Sequence, residues 1–140
     1  MYQLAFDIQS TLISSMKPGV KLSQLWNKAI EMIKSYKPEL VEKFSKNCGF
    51  GIGLEFREPL LTIGDKNDRT IQTNMVFNIA LGFENIDMPA DSKYKQFAVF
   101  IADTVLIKED GNPEILTDKA PKKLGDITYY LEVTLPENDS

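Results

Sequence analysis

The first third of the chain has apolar residues at the spacing of amphipathic α-helices. One pattern predicts a helix over residues 2–15, which a Lys-Pro-Gly turn brings to an end. A second pattern predicts a helix over residues 23–36, and Pro38 is placed to open a short third helix that continues to residue 44. The inward-facing positions of the first two helices are Leu4, Ile8, Leu12, Ile13, Leu25, Ala29, Ile30 and Ile33.

After residue 49 the apolar pattern changes to a period of two, which is typical of β-strands. Over residues 75–83 both alternating sets are largely apolar, so we expect a strand that is buried on both faces or nearly so. Further strands are predicted over residues 60–63, 95–107 and 113–116, with a hairpin turn at residues 109–112. Helices followed by antiparallel strands predict an α+β fold.

The composition fits one domain with an ordinary core. The chain has 140 residues, of which 43% are hydrophobic and 26% charged. We expect the domain to occupy residues 1–135 and residues 136–140 to be an acidic tail or the start of a linker. The formal charge of -4 and the pI near 4.9 argue against direct binding to nucleic acid and favour basic partners.

Cysteine usage and hydropathy bear on disulfide bonding and on membrane association. Cys48 is the single cysteine, so it cannot form a disulfide within the chain, and we expect it to be a small buried residue. The chain has no long apolar run, so we expect no membrane partner.

The centre of the chain resembles an active-site segment of the pita-bread metallopeptidases, which include methionine aminopeptidases, prolidases and creatinases. It reads Cys48-Gly49-Phe50-Gly51-Ile52-Gly53-Leu54-Glu55-Phe56-Arg57-Glu58-Pro59. In that family a glycine-histidine-glycine-isoleucine-glycine run is followed by histidine-glutamate-proline, and Phe50 and Arg57 stand at the two histidine positions. The chain contains no histidine. Neither phenylalanine nor guanidinium can bind a metal through a neutral nitrogen and exchange a proton near neutral pH.

The same resemblance implies that the other testable metal ligands are also missing. The two glutamates of the family map to Ala80 and Ala102, and its two aspartates map before the first residue of this chain. We therefore expect no metal, no cofactor and no peptidase activity, and we expect Phe50 to fill the former metal position as a buried apolar side chain. The implied fold is the C-terminal part of a pita-bread lobe, with helices packed on a curved, mainly antiparallel sheet.

Three segments together resemble a narrower group, the N-terminal peptidase-like domain of the large subunit of the FACT histone chaperone. They are residues 48–58, Asn78-Ile79-Ala80 and Ala102-Asp103-Thr104-Val105. The resemblance implies a nuclear protein that binds histones during nucleosome reorganisation in transcription, replication and repair. It also implies an HMG-box-type small subunit as a partner, held through other parts of the full-length protein.

The candidate histone-binding residues are Glu55, Arg57, Glu58 and Asp103, because charged groups around an otherwise apolar cleft can engage lysine and arginine side chains. An equal alternative is that Arg57 and Glu58 form a structural cluster with their neighbours, with Asp103 completing it. Two other functions stay open at this point. One is an architectural domain that docks other subunits without touching histones. The other is a divergent aminopeptidase or prolidase, which the absence of histidine opposes.

Overall fold

The computed structural model describes residues 1–129. The expected tail at residues 136–140 lies outside the described residues. Within residues 1–129, no helix is both long enough and apolar enough to cross a membrane.

The helical half contains two α-helices and one 3-10 helix. Helix α1 spans Tyr2–Ser15 and helix α2 spans Leu22–Tyr36, as the apolar spacing predicts to within one residue. The third helix, Pro38–Lys43, is a 3-10 helix, in which the amide of Leu40 donates to the carbonyl oxygen of Lys37. Proline at its first turn and its short length suit this tighter connector, because 3-10 helices occur mostly in short pieces.

From residue 50 to residue 129, the chain forms one antiparallel sheet of five strands in the order β2-β1-β3-β4-β5. Strand β3 extends four residues beyond the strand expected to end at residue 83, across an irregularity where Asn85 has a positive φ of 55°. The hairpin turn before β5 is confirmed, and Gly111 adopts a φ of 80° within it. Strand β1 and a four-residue helix, α3, were not predicted. The ranges are β1 Phe50–Ile52, β2 Glu58–Thr62, β3 Val76–Asp87, β4 Gln96–Ile107, β5 Pro113–Ile115 and α3 Leu124–Ile127.

The main core lies between the helices and one face of the sheet. Helix α1 packs on β3 and β4, and α2 packs on α1 and the 3-10 helix. The buried amide of Gln9 donates to the carbonyl oxygen of Ile79 at 2.9 Å, so α1 is also tied to β3 by a hydrogen bond. Residues 79–83 of β3 are buried on both faces, as expected. The fully buried side chains of this core include Ile8, Leu12, Leu25, Ile33, Phe77, Ile79, Leu81 and Phe83.

Trp26 and Cys48 lie in or against this core. Trp26 of α2 is half-buried and packs against the core, with its ring 5.8 Å from that of Phe44. Cys48 is fully buried, and burial raises the pKa of its thiol from 9.0 to about 12. The thiol therefore stays protonated at physiological pH and behaves as a small apolar side chain.

Candidate functional site

The register of three adjacent strands brings the expected former metal positions to one face of the sheet. Phe50 of β1 pairs with Asn78 of β3, and Ala80 of β3 pairs with Ala102 of β4. Asn78 also pairs with Thr104 of β4. Directly opposed residues share a face, and residues two apart on a strand do as well. These five side chains therefore lie together on the face opposite the helices, which we call the Phe50 face.

Phe50 is buried on this face without belonging to the main core. Its exposed fraction is 7%. The main core is a separate cluster of side chains on the helix side of the sheet, and Phe50 is not part of it. The guanidinium carbon of Arg57 lies 4.2 Å from the centroid of the Phe50 ring, and the Phe56 ring lies 6.4 Å away. Ala80 is buried as well, whereas Ala102 is exposed. The loop at residues 53–57 thus covers Phe50 from the solvent side.

The donor chemistry of this face does not fit a divalent metal. Phenyl and methyl groups stand at Phe50, Ala80 and Ala102, and neither group donates a lone pair to a metal. Among residues 1–129, no group of three or more histidine, cysteine, aspartate or glutamate side chains is arranged to hold an ion.

A tight approach between strands fixes the position of the Phe50 segment. Gly49 has a φ of 129°, and a Cβ added to it would lie 2.0 Å from the carbonyl oxygen of Asn78. Only glycine allows this backbone conformation and this distance. The glycine immediately before Phe50 is therefore explained by strand packing, and the Phe50 side chain is set on β1 directly opposite Asn78.

Three of the four candidate binding residues lie together at the edge of the Phe50 face. Glu55 and Arg57 are exposed in the 53–57 loop, and Glu58 is partly exposed at the start of β2. The amide of Glu55 donates to Oε1 of Glu58 at 3.3 Å, which closes the loop locally. Their binding role stays a prediction.

Asp103 does not join them, so the expectation that it completes their cluster is wrong. It pairs with Ile79, whose side chain lies on the helix face of the sheet, and its exposed fraction is 5%. Its Oδ1 accepts hydrogen bonds from the hydroxyl of Thr117 and from Nζ of Lys122, the latter at 2.7 Å. The Tyr2 hydroxyl donates to the carbonyl oxygen of Lys122 at 2.7 Å. Asp103 therefore holds the segment after β5 against β4. The hydrogen bond from Tyr2 ties the same segment to α1.

Sequence reasoning did not single out Asn78, although it lies at the centre of the Phe50 face. Its Oδ1 is buried, and within the described part of the chain no group donates a hydrogen bond to it. It lines a cavity of about 540 Å³ together with Phe50, Phe56 and Glu55. The available signal was an asparagine in a strand otherwise expected to be buried on both faces.

Comparison with protein-family models shows which family the chain matches. The model of metallopeptidase family M24 matches residues 1–109.

The chain belongs to metallopeptidase family M24.

A solved peptidase structure shares the fold of this chain. An X-Pro aminopeptidase from Thermotoga maritima superposes with a TM-score of 0.70 at 29% identity, over 87% of this chain and 31% of that structure. The expected fold, helices packed on a curved antiparallel sheet of the pita-bread type, is therefore confirmed.

Within family M24, the chain resembles a subunit of the FACT complex. It is 45% identical to FACT complex subunit SPT16 of Dictyostelium discoideum over 133 residues, which are 93% of this chain and 12% of that protein. The N-terminal domain of SPT16 from chickpea, Cicer arietinum, superposes with a TM-score of 0.86 at 38% identity, over 92% of this chain and 30% of that structure. These matches confirm the resemblance to the peptidase-like domain of the FACT large subunit. The chain spans about an eighth of the full-length relative.

Proposed function

We propose that the chain is a non-catalytic, peptidase-like module of a histone chaperone. In this proposal it acts in the nucleus and binds histones while nucleosomes are reorganised during transcription, replication and repair. An HMG-box-type small subunit is held by other parts of the full-length protein. The observation that carries the proposal is the apolar character of Phe50, Ala80 and Ala102 in a chain 45% identical to a FACT complex subunit.

The loss of catalysis is supported by side-chain chemistry. A hydrolytic metal centre needs oxygen, nitrogen or sulfur donors around an open coordination position. The family positions at Phe50, Ala80 and Ala102 offer none, and the guanidinium of Arg57 stacks on Phe50 at the other histidine position. We therefore assign no peptidase step to this chain.

Histone binding is supported by charge and by the shape of the face. The chain has a formal charge of -4, and histones are rich in lysine and arginine, so attraction is favourable at long range. The exposed Glu55 lines a largely apolar cavity on the Phe50 face, and the carboxylate of the partly exposed Glu58 accepts a hydrogen bond from the Glu55 amide. Carboxylates in such a place can accept charge-assisted hydrogen bonds from lysine and arginine.

We keep Glu55 and Glu58 as the proposed histone contacts, and Arg57 as the residue that shapes their loop. Asp103 is given a structural role instead, because its carboxylate is buried and already paired with Lys122. Arg57 serves this proposal by covering Phe50 and shaping the loop, since its own positive charge opposes a basic partner.

The proposal is tested by charge reversal on the loop. Glu55→Lys and Glu58→Lys should each weaken binding of core histones several-fold at low salt, and the defect should shrink as added salt screens the attraction. Glu31→Lys, an exposed change of the same charge on α2, is the matched control and should bind nearly as well as the parent chain. Equal weakening by all three variants would indicate a general charge effect and would oppose a histone contact on this loop.

A second candidate function, docking of another subunit, has one observation in its favour. Leu54 and Phe56 are almost fully exposed on the 53–57 loop, and Phe100 is largely exposed on the same face of β4. An apolar docking surface would bind its partner with little dependence on salt, whereas the histone contact should weaken steeply. Capture of histones at two salt concentrations therefore separates the two functions.

A further inference from the structure

The cavity on the Phe50 face combines apolar walls with three polar side chains. Its volume is about 540 Å³. The polar groups are a carboxylate, an amide and a hydroxyl, and among residues 1–129 no cationic side chain belongs to the lining. The lining consists of Phe50, Ile52, Gly53, Glu55, Phe56, Val76, Asn78 and Thr104.

The amide of Asn78 is the unusual feature of this lining. Its Oδ1 is shielded from solvent and receives no hydrogen bond from the described residues. A buried acceptor without a donor destabilises the protein that contains it, so such a group calls for an explanation. Asn78 lines the cavity, so a ligand there would supply the donor once the amide turns its Oδ1 toward the cavity.

We propose that this cavity receives a lysine side chain from a basic protein segment. This inference rests on the proposed function, since histones supply such segments. The four-carbon stem of lysine packs along Phe50, Phe56 and Val76, and its ammonium donates to the carboxylate of Glu55 and to Oδ1 of Asn78. The exposed face of the Phe56 ring adds a favourable surface for a cation.

Charge selects lysine over the other side chains that could fill the space. A carboxylate would meet the like charge of Glu55 in the lining. An uncharged aliphatic chain would fill the apolar part and leave Oδ1 of Asn78 without a donor. Arginine shares the charge of lysine, but its broad planar guanidinium would have to enter beside Arg57, which already stacks on Phe50.

The direct test uses small probes and the side-chain amide resonances of Asn78. The parent chain is titrated with Nα-acetyl-lysine amide, and in parallel with the norleucine, Nε-acetyl-lysine and arginine counterparts. We expect the lysine probe to shift the Asn78 resonances saturably, and the norleucine and Nε-acetyl-lysine probes to leave them in place. Equal shifts with norleucine would reduce the site to an apolar pocket, and stronger shifts with arginine would overturn the choice of lysine. No shift with any probe would mean that water satisfies Asn78, and the proposal would fail.

Variants connect the cavity to histone binding. Asn78→Leu should weaken core histone binding roughly tenfold, the effect of losing one hydrogen bond to a charged group. It should also raise the midpoint of denaturant unfolding, because it removes a buried acceptor that lacks a donor. Glu55→Gln should weaken binding without a comparable change in stability. A lower unfolding midpoint for Asn78→Leu would assign Asn78 a structural role and would overturn its role in binding.

The two proposals fail in distinguishable ways. If the parent chain binds histones and Asn78→Leu binds them equally well, the lysine cavity is wrong and the proposed function stands. If the parent chain binds no histones while the lysine probe still shifts Asn78, the cavity is real and its basic partner is a different protein.

Discussion

The guanidinium of Arg57 lies over the ring of Phe50, with 4.2 Å between the guanidinium carbon and the ring centroid. By the resemblance to pita-bread peptidases, these residues are expected to stand at two positions that hold histidine in that family. The pair places a cation on an aromatic face. Such a pair contributes about 0.5–1 kcal/mol at an exposed site, so it closes the position without forming a strong ion pair.

Removing the ring of Phe50 should destabilise the chain less than removing a core phenylalanine. Phe50→Ala is expected to cost about 2–3 kcal/mol of unfolding free energy, because Phe50 lies outside the main core and only a loop covers it. Phe77→Ala, on the helix face of β3, is the control and should cost about 3–5 kcal/mol. Denaturant unfolding of both variants measures the difference. A larger cost for Phe50→Ala would mean that Phe50 supports the core directly.

The pair of Asp103 and Lys122 should be coupled in stability. Asp103→Ala is expected to cost about 3 kcal/mol, and Lys122→Met a similar amount, because each change leaves one partner of a largely buried pair without its counter-charge. The double variant should cost clearly less than the sum of the two single costs. A double-mutant cycle by denaturant unfolding measures this coupling. Additive costs would show that the 2.7 Å contact contributes little.

The position before Phe50 should accept only glycine. Gly49→Ala is expected to cost more than about 3 kcal/mol, because its Cβ would overlap the carbonyl oxygen of Asn78 and its φ is positive. Gly64→Ala is the control, since a Cβ there would meet no atom within 4 Å, and it should change stability by less than about 0.5 kcal/mol. Thermal unfolding of the two variants should therefore differ widely. Similar midpoints would contradict the strand geometry around Phe50.

Stability should fall at alkaline pH through Cys48. Burial raises the pKa of its thiol from 9.0 to about 12, so the folded chain holds this proton more tightly than the unfolded chain. The resulting stability is fully present below about pH 9 and is lost as the pH rises toward 12. Between about pH 8 and about pH 10.5, the parent chain should lose more thermal stability than Cys48→Ala. Parallel losses in the two proteins would contradict a buried, protonated thiol.

The sequence predicted the helices and strands well because their periodicity is local. The apolar spacing in residues 2–15 and the alternation in residues 75–83 each point to one secondary structure and one buried face. The extension of β3 depends on pairing with another segment. Ile86 pairs with Phe97, and Asp87 pairs with Gln96, both across an irregularity in the β3–β4 register. Such long-range bonds leave no periodic signal.

The candidate site was predicted less completely, for two different reasons. Asp103 was placed on the wrong side, although neighbouring residues of a strand face opposite sides and Ala102 was already assigned to the former metal position. Its partner Lys122 lies in an irregular segment after β5, where no pattern fixes its position. Among the described residues no group donates to the buried oxygen of Asn78, and this depends on every neighbour in three dimensions, so only coordinates reveal it.

The most direct test of the central claim is a calorimetric titration of the chain with core histones, run once with a metal chelator and once with excess manganese. The account predicts saturable binding that is the same under both conditions and weakens as salt is raised, because the contact is made by carboxylates and apolar side chains rather than through a metal. Absence of histone binding, or binding that appears only with manganese, would contradict it.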